Sequence, residues 1–128
     1  MQLENTLFET LSIETVKAEK DQVILKMPVT PTVHQPLGYL HGGASVALAE
    51  SAASLAGFLN IDPEHYSVFG VEINANHVKS KREGYVQAIA NPIHIGRTTM
   101  VWEIKIVDES EQLISISRCT LGVVERKK

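Results

Sequence analysis

The chain has 128 residues, 44% of them hydrophobic and 21% charged, and its net charge is −3. This length fits one domain over residues 1–128, and the composition is too apolar for a disordered chain. The negative charge gives no general reason to expect nucleic-acid binding.

The first half of the chain predicts two strands and a long helix. Residues 5–11 have the spacing of one or two helical turns. Alternating apolar residues predict strands over 12–20 and 22–30, joined by a hairpin turn at 19–21. After an irregular stretch from 31 to 40, a helix runs from residue 41 or 42 to about 59. It is apolar on nearly all faces, which is typical of a buried helix.

Four further strands follow, over residues 67–79, 85–95, 98–107 and 113–124. The short breaks at 82–84, 95–97 and 108–111 predict antiparallel neighbours. The economical packing is an α+β architecture in which one antiparallel β-sheet wraps around the central helix.

The sequence favours a cytoplasmic protein that does not enter a membrane. The first five residues lack the basic start and apolar run of a signal peptide. The longest apolar stretch, residues 44–59, contains Glu50 and is too short for a membrane span. Cys119 is the only cysteine, so no disulfide can form within the chain.

Glu50 is the most informative residue, because it lies in the middle of the apolar helix. A carboxylate in such a helix faces a cavity, pairs with a cation or lies on an exposed stripe, so a structural ion pair and a functional carboxylate both stay open. Ser54 shares its face one turn later, either to orient the carboxylate or as a small packing residue. No Gly-x-Ser-x-Gly motif indicates a serine nucleophile.

His41, Gly42 and Gly43 open the helix, where free N–H groups can bind the oxygen of a reacting carbonyl. The alternative is an ordinary glycine-rich turn. Gly42 and Glu50 are separated by about 12 Å of helix rise, whereas both groups must come within about 3 Å of one carbonyl. If both groups act, two antiparallel copies of the helix are needed, and the site lies between subunits.

Two segments carry cations, hydroxyls or glycine in a pattern that suits phosphate binding, residues 77–82 and 94–98. A solvated strand end is the alternative for each. The histidines lack metal-ligand spacing, so no metal is predicted.

Residues 35–45 (QPLGYLHGGAS), residues 48–51 (LAES) and residues 70–77 (GVEINANH) resemble one family. They are similar to hotdog-fold thioesterases of the branch that includes 4-hydroxybenzoyl-, phenylacetyl- and dihydroxynaphthoyl-CoA hydrolases. The resemblance covers the chain from about Ser12 onward. It implies hydrolysis of an acyl-CoA thioester, with an aromatic acyl group favoured and no bound cofactor.

The resemblance also implies residue roles. Glu50 matches the catalytic carboxylate, which acts as nucleophile or general base. The Gly42 N–H matches the donor to the thioester carbonyl. Gln35 matches a side chain near that carbonyl, and His41 matches a histidine that supports the same part of the site. Ser54 matches the hydroxyl one turn past the carboxylate. The matching coenzyme A edge comprises Gly70, His77, Val78, Lys79, Ser80, His94, Ile95, Gly96, Arg97, Thr98 and Thr99.

The family implied by this resemblance pairs its helices across a homodimer with shared active sites and usually forms homotetramers. Glu50 of one subunit then faces Gln35 and Gly42 of the other. Two rival functions stay open because one fold supports several. The first is a hotdog hydratase or dehydratase, which would not release free thiol. The second is a non-catalytic acyl-CoA-binding protein.

Overall fold

The computed structural model describes residues 2–127 and confirms the predicted order of two strands, one long helix and four strands. The short helix α1 lies within the helical turns predicted over residues 5–11, and a 3-10 turn at Pro31–Val33 is an additional element. The elements are α1 (Leu7–Thr10), β1 (Glu14–Glu19), β2 (Gln22–Pro28), α2 (Gly42–Phe58), β3 (Tyr66–His77), β4 (Tyr85–Ile95), β5 (Thr99–Asp108) and β6 (Leu113–Glu125).

The strands form one six-stranded antiparallel sheet in the order β1-β2-β4-β5-β6-β3. The prediction that β3 and β4 are neighbours is wrong, because β3 pairs with β6. β2 pairs with one side of β4 and β5 with the other, so β4 has no free side for β3, which pairs instead with the outer side of β6. The connection over residues 78–84 therefore crosses the end of the sheet, and β3 becomes an edge strand.

Helix α2 contacts all six strands and supplies much of the core. Its buried positions are mostly small, including Ala49, Ala52 and Ala53, which lets the helix approach the sheet closely. At Gly57 the approach is very close, because Leu121 occupies the space where a Cβ would lie. Fully burying a large apolar side chain contributes about 1.5–3 kcal/mol, so this close contact stabilises the helix on the sheet.

The inner face of the sheet shows the alternation that predicted its strands. On β2, Val23, Leu25 and Met27 are fully buried, while the residues between them are half-buried. Trp102 and Cys119 are register partners on β5 and β6, and both are fully buried in the core. Within residues 2–127, the structure contains no helix that is both long and apolar enough to span a bilayer.

Candidate active site

The first turn of α2 leaves one backbone donor free. The N–H of Gly43 donates to Nδ1 of His41 at 2.8 Å, so the side chain of His41 caps the helix. The N–H groups of Ala44 and Ser45 donate to the carbonyl of His41 at 3.0 and 3.2 Å. Among the bonds formed by residues 2–127, this leaves the N–H of Gly42 without an acceptor. The cap requires a neutral His41 ring whose proton is on Nε2.

Gln35 presents a second donor to the same place. Its Oε1 accepts from the N–H of Leu37 at 2.5 Å, which turns the side-chain amide so that its NH₂ group is available. The turn is further fixed by the N–H of Gln35, which donates to the carbonyl of Tyr39 at 2.8 Å. Gln35 and Gly42 both line one cleft of about 370 Å³. This arrangement suits a carbonyl oxygen that gains negative charge.

His77, at the end of β3, lies directly against Gly42. A Cβ placed on Gly42 would be 2.8 Å from Nε2 of His77, closer than real Cβ contacts come. Glycine therefore lets the imidazole and the free backbone N–H share this corner. The structure thus brings together four sequence-predicted residues, Gln35, His41, Gly42 and His77.

Glu50 opens into a different cleft. This cleft is also about 370 Å³ and is lined by Thr6, Leu7, Phe8, Ala47, Glu50, Ser51 and Ser54. Glu50 is half-buried and forms no ion pair with any of residues 2–127. Its carboxylate contacts Gly70 at the position where a Cβ would lie. The carboxylate therefore borders a cleft and has no cation partner among residues 2–127.

The two donors and the carboxylate do not meet within one chain. Neither cleft is lined by both Gly42 and Glu50. The helix rise of about 12 Å between them accounts for this separation. One chain therefore carries the two donors and the carboxylate in separate clefts.

Known proteins identify the family of this chain. A sequence model described as the thioesterase superfamily matches residues 37–115, more than half of the chain. The chain belongs to the thioesterase superfamily. It is 55% identical over 122 residues to the 1,4-dihydroxy-2-naphthoyl-CoA hydrolase of Listeria monocytogenes, covering 95% of this chain and 98% of that protein. The Escherichia coli protein of the same name is 45% identical over 117 residues, covering 91% and 80%.

Solved structures agree with this assignment. The crystal structure of a mutant of thioesterase PA1618 from Pseudomonas aeruginosa superposes with a TM-score of 0.94 at 40% identity, covering 97% of this chain and 89% of that one. The protein is therefore a thioester hydrolase with the hotdog fold.

The buried thiol of this thioesterase is not a nucleophile. Burial, followed by the negative charges of Glu50 and Glu72, raises the pKa of Cys119 to about 12. The thiolate, which is the reactive form, is therefore almost absent at neutral pH. Ser54 shares the cleft of Glu50, and no histidine is among the residues that line that cleft, so the His partner of a serine triad is missing there.

The basic segment at residues 77–82 is smaller than the sequence suggests. Lys81 forms an ion pair with Glu109, and the guanidinium of Arg82 lies 5.0 Å from the ring centroid of Tyr39. Lys79 forms no ion pair within residues 2–127 and is exposed beside Val78 and Ser80, which line the Gln35 cleft with it. Lys79 and Arg82 are thus the exposed cations of this segment that have no carboxylate partner within residues 2–127.

Glu109 is a structural residue that sequence reasoning missed. Besides Lys81 it accepts from the N–H of Tyr85 at 3.2 Å, and these two bonds hold the pKa of Glu109 below its usual range. The backbone carbonyl of Lys81 accepts from the N–H of Leu40 at 2.7 Å. The loop that carries Lys79 is therefore fixed to the loop that carries Gln35. A carboxylate 28 residues from its lysine gives no signal in the sequence.

The second basic segment lies at the other end of α2. Arg97 lines a cleft of about 200 Å³ with Asn60, Asp62 and Tyr66, which follow the helix. The turn is closed by the N–H of Gly96, which donates to the carbonyl of Thr99 at 2.9 Å, and the ring of His94 packs against Gly96. Ile95, Thr98 and Thr99 are exposed around it. Within one chain, the two basic segments of the predicted coenzyme A edge therefore line different clefts at opposite ends of α2.

Asp62, Glu64 and His65 have the ligand types that can hold a metal. Their ligand atoms lie within 4.8 Å of one another, and all three residues are exposed. Nδ1 of His65 already bonds Oδ2 of Asp62 at 2.6 Å. The cluster lies in the loop after α2, away from both Gly42 and Glu50.

Proposed function

We propose that this thioesterase hydrolyses an aromatic acyl-CoA in sites shared by two copies of the chain. The observation that carries the proposal is the separation of the hydrogen-bond donors from the carboxylate within one chain. Gln35 and Gly42 line one cleft, and Glu50 lines another. Each half is incomplete for acyl transfer, which needs an attacking group and donors to the carbonyl oxygen.

In the proposed site, the thioester oxygen accepts from the Gly42 N–H and the Gln35 side chain of one copy. Glu50 of the other copy acts as general base for water or as the nucleophile itself. In the first route, Glu50 takes a proton as water attacks the carbonyl carbon. The C–S bond then breaks, the coenzyme A thiolate leaves and Glu50 returns the proton to the sulfur. His41 holds the donor end of the helix, and Ser54 contributes a hydroxyl beside the carboxylate.

The free edge of β3 supports a two-fold dimer. Phe69 and Val71 on this strand are 61% and 67% exposed. A long unpaired strand with exposed apolar side chains tends to pair with another strand. Antiparallel pairing of two β3 strands would continue the sheet and place the two α2 helices side by side in opposite directions. Gly70, which contacts Glu50, would then approach the His77 end of the other copy. We propose that two such dimers assemble into a tetramer.

The same pairing would complete the coenzyme A edge. Opposed helices bring the C-terminal end of α2 in one copy towards the N-terminal end in the other. Arg97 of one copy and Lys79 of the other would then share one rim of the site. A local pair of cations compensates for the negative net charge of the chain, which would otherwise repel a polyanionic substrate.

The aromatic acyl group is supported by the similarity to two proteins named 1,4-dihydroxy-2-naphthoyl-CoA hydrolase. A hydrolysis screen with a thiol-reactive dye tests the proposal. We expect free thiol from benzoyl-CoA and dihydroxynaphthoyl-CoA at a kcat/KM at least about tenfold above that for palmitoyl-CoA, because each cleft is near the lower end of ligand-site volumes. Turnover of an enoyl-CoA without thiol release would instead favour a hydratase. Binding without any turnover would favour the acyl-CoA-binding protein.

Replacing Arg97 by alanine tests the coenzyme A edge. We expect KM for an aromatic acyl-CoA to rise about fivefold or more with little change in kcat, since binding remote from the carbonyl is lost. The effect should shrink with a pantetheine thioester that lacks the nucleotide. Lys105→Ala, which removes an exposed cation from β5, is the matched control. An equal loss with the truncated substrate would show that Arg97 does not bind the nucleotide.

A further inference from the structure

The Glu50 cleft has a wall that comes from outside the helix and sheet. Thr6, Leu7 and Phe8 of the N-terminal segment line it together with residues of α2. Segment 5–12 contains the short helix α1 and is bounded by two non-glycine residues with left-handed backbones, Asn5 at φ 60° and Ser12 at φ 55°. The N–H of Ile13 donates to the carbonyl of Phe8 at 2.8 Å and closes the segment on itself. This wall therefore has a defined conformation.

Leu7 and Phe8 differ in how they pack against the rest of the protein. Phe8 packs against the hydrophobic core and anchors the segment. Leu7 is 53% exposed, although it borders the cleft that holds the carboxylate. Because Leu7 lines this cleft, a ligand bound in the cleft would cover part of its exposed apolar surface.

The opposite side of the cleft is small and largely apolar. Ala47 and Ser51 line it, and the hydroxyl of Ser51 donates to the carbonyl of Ala47 at 2.7 Å. Because that O–H donates within the helix, Ser51 offers an occupant no free donor. The cleft thus offers a leucine wall, a fixed aromatic ring and a floor of small side chains next to Glu50.

We propose that Leu7 is a specificity-determining residue that contacts the acyl ring of the substrate. This inference rests on the proposed function, since it places the acyl group on the open side of Glu50. A rigid ring fits a cleft of about 370 Å³ with little entropy to lose, whereas a long flexible chain would extend beyond it. The N-terminal segment is then part of the binding site.

Ligand binding tests this inference separately from hydrolysis. Each protein compared here also carries Glu50→Gln. The probes are free coenzyme A and phenacyl-CoA, a thioether that carries an aromatic ring and cannot be hydrolysed. We expect Leu7→Ala to weaken phenacyl-CoA about fivefold and to change the Kd of free coenzyme A by less than about twofold, because part of one apolar contact is lost. Leu7→Met should restore most of the affinity.

Leu3→Ala is the matched control, because Leu3 lies just before segment 5–12, is 42% exposed and does not line the cleft. Thermal unfolding and sedimentation of each variant show whether fold and assembly are kept. Equal weakening of both probes by Leu7→Ala, no weakening of either, or the same effect from Leu3→Ala would overturn the inference. The proposed function fails on a different result, which is the absence of thiol release from aromatic acyl-CoA esters by the wild-type protein.

Discussion

Replacing Glu50 by glutamine is expected to lower kcat for an aromatic acyl-CoA by about a hundredfold or more. The side chain keeps its size and its place beside Gly70, so the cleft keeps its shape. What it loses is the negative charge needed to accept a proton or attack a carbonyl, and such losses typically cost about a hundredfold or more. The measurement is steady-state hydrolysis at saturating substrate, so that kcat is compared without changes in binding.

Glu14→Gln provides the control for Glu50→Gln. Glu14 is an exposed carboxylate on β1, so its replacement makes the same chemical change away from both clefts. Thermal unfolding should show that both variants are folded. Because Glu50 forms no ion pair among residues 2–127, its neutralisation leaves no cation unpaired there. A folded Glu50→Gln variant with near-normal kcat would remove Glu50 from the chemistry.

The parts of the fold that the sequence predicted are those encoded locally. The alternation in β2 and the apolar character of α2 persist over a whole element, and both elements lie where the pattern places them. The position of β3 was missed because strand pairing is decided by which edge remains free. The residues of β3 itself give no signal that β6, about 40 positions later, will be its neighbour.

The candidate site divides in the same way. Glu50 and Gly42 can be found from the sequence because a carboxylate in an apolar helix and a glycine at a helix start each break a local pattern. The pairing of Lys81 with Glu109 could not be found, because it joins two loops that only the folded sheet brings together. The same holds for Leu7, whose spacing predicts a helical turn and says nothing about the cleft beside it.

Mixing two inactive variants is expected to restore hydrolysis, and this is the sharpest test of the shared site. Gln35→Ala removes a donor from one cleft, and Glu50→Gln removes the charge from the other. Each variant alone carries one lesion in every shared site. In a mixed dimer one site collects both lesions and the other has neither. Random remixing of equal amounts makes about half of the dimers mixed, so about a quarter of all sites should recover.

The experiment is to unfold and refold the two variants together and to compare their hydrolysis with that of each variant refolded alone. Subunit exchange is verified by mass, using one variant with a tag of different length. Gln35→Ala mixed with Glu14→Gln is the control mixture. Glu14→Gln keeps both Gln35 and Glu50, so this mixture should show only the sum of the two parent activities. If exchange is complete and activity still equals the sum of the two parents, Gln35 and Glu50 serve the same chain, and the helix geometry that separates them must be bridged by a change in conformation.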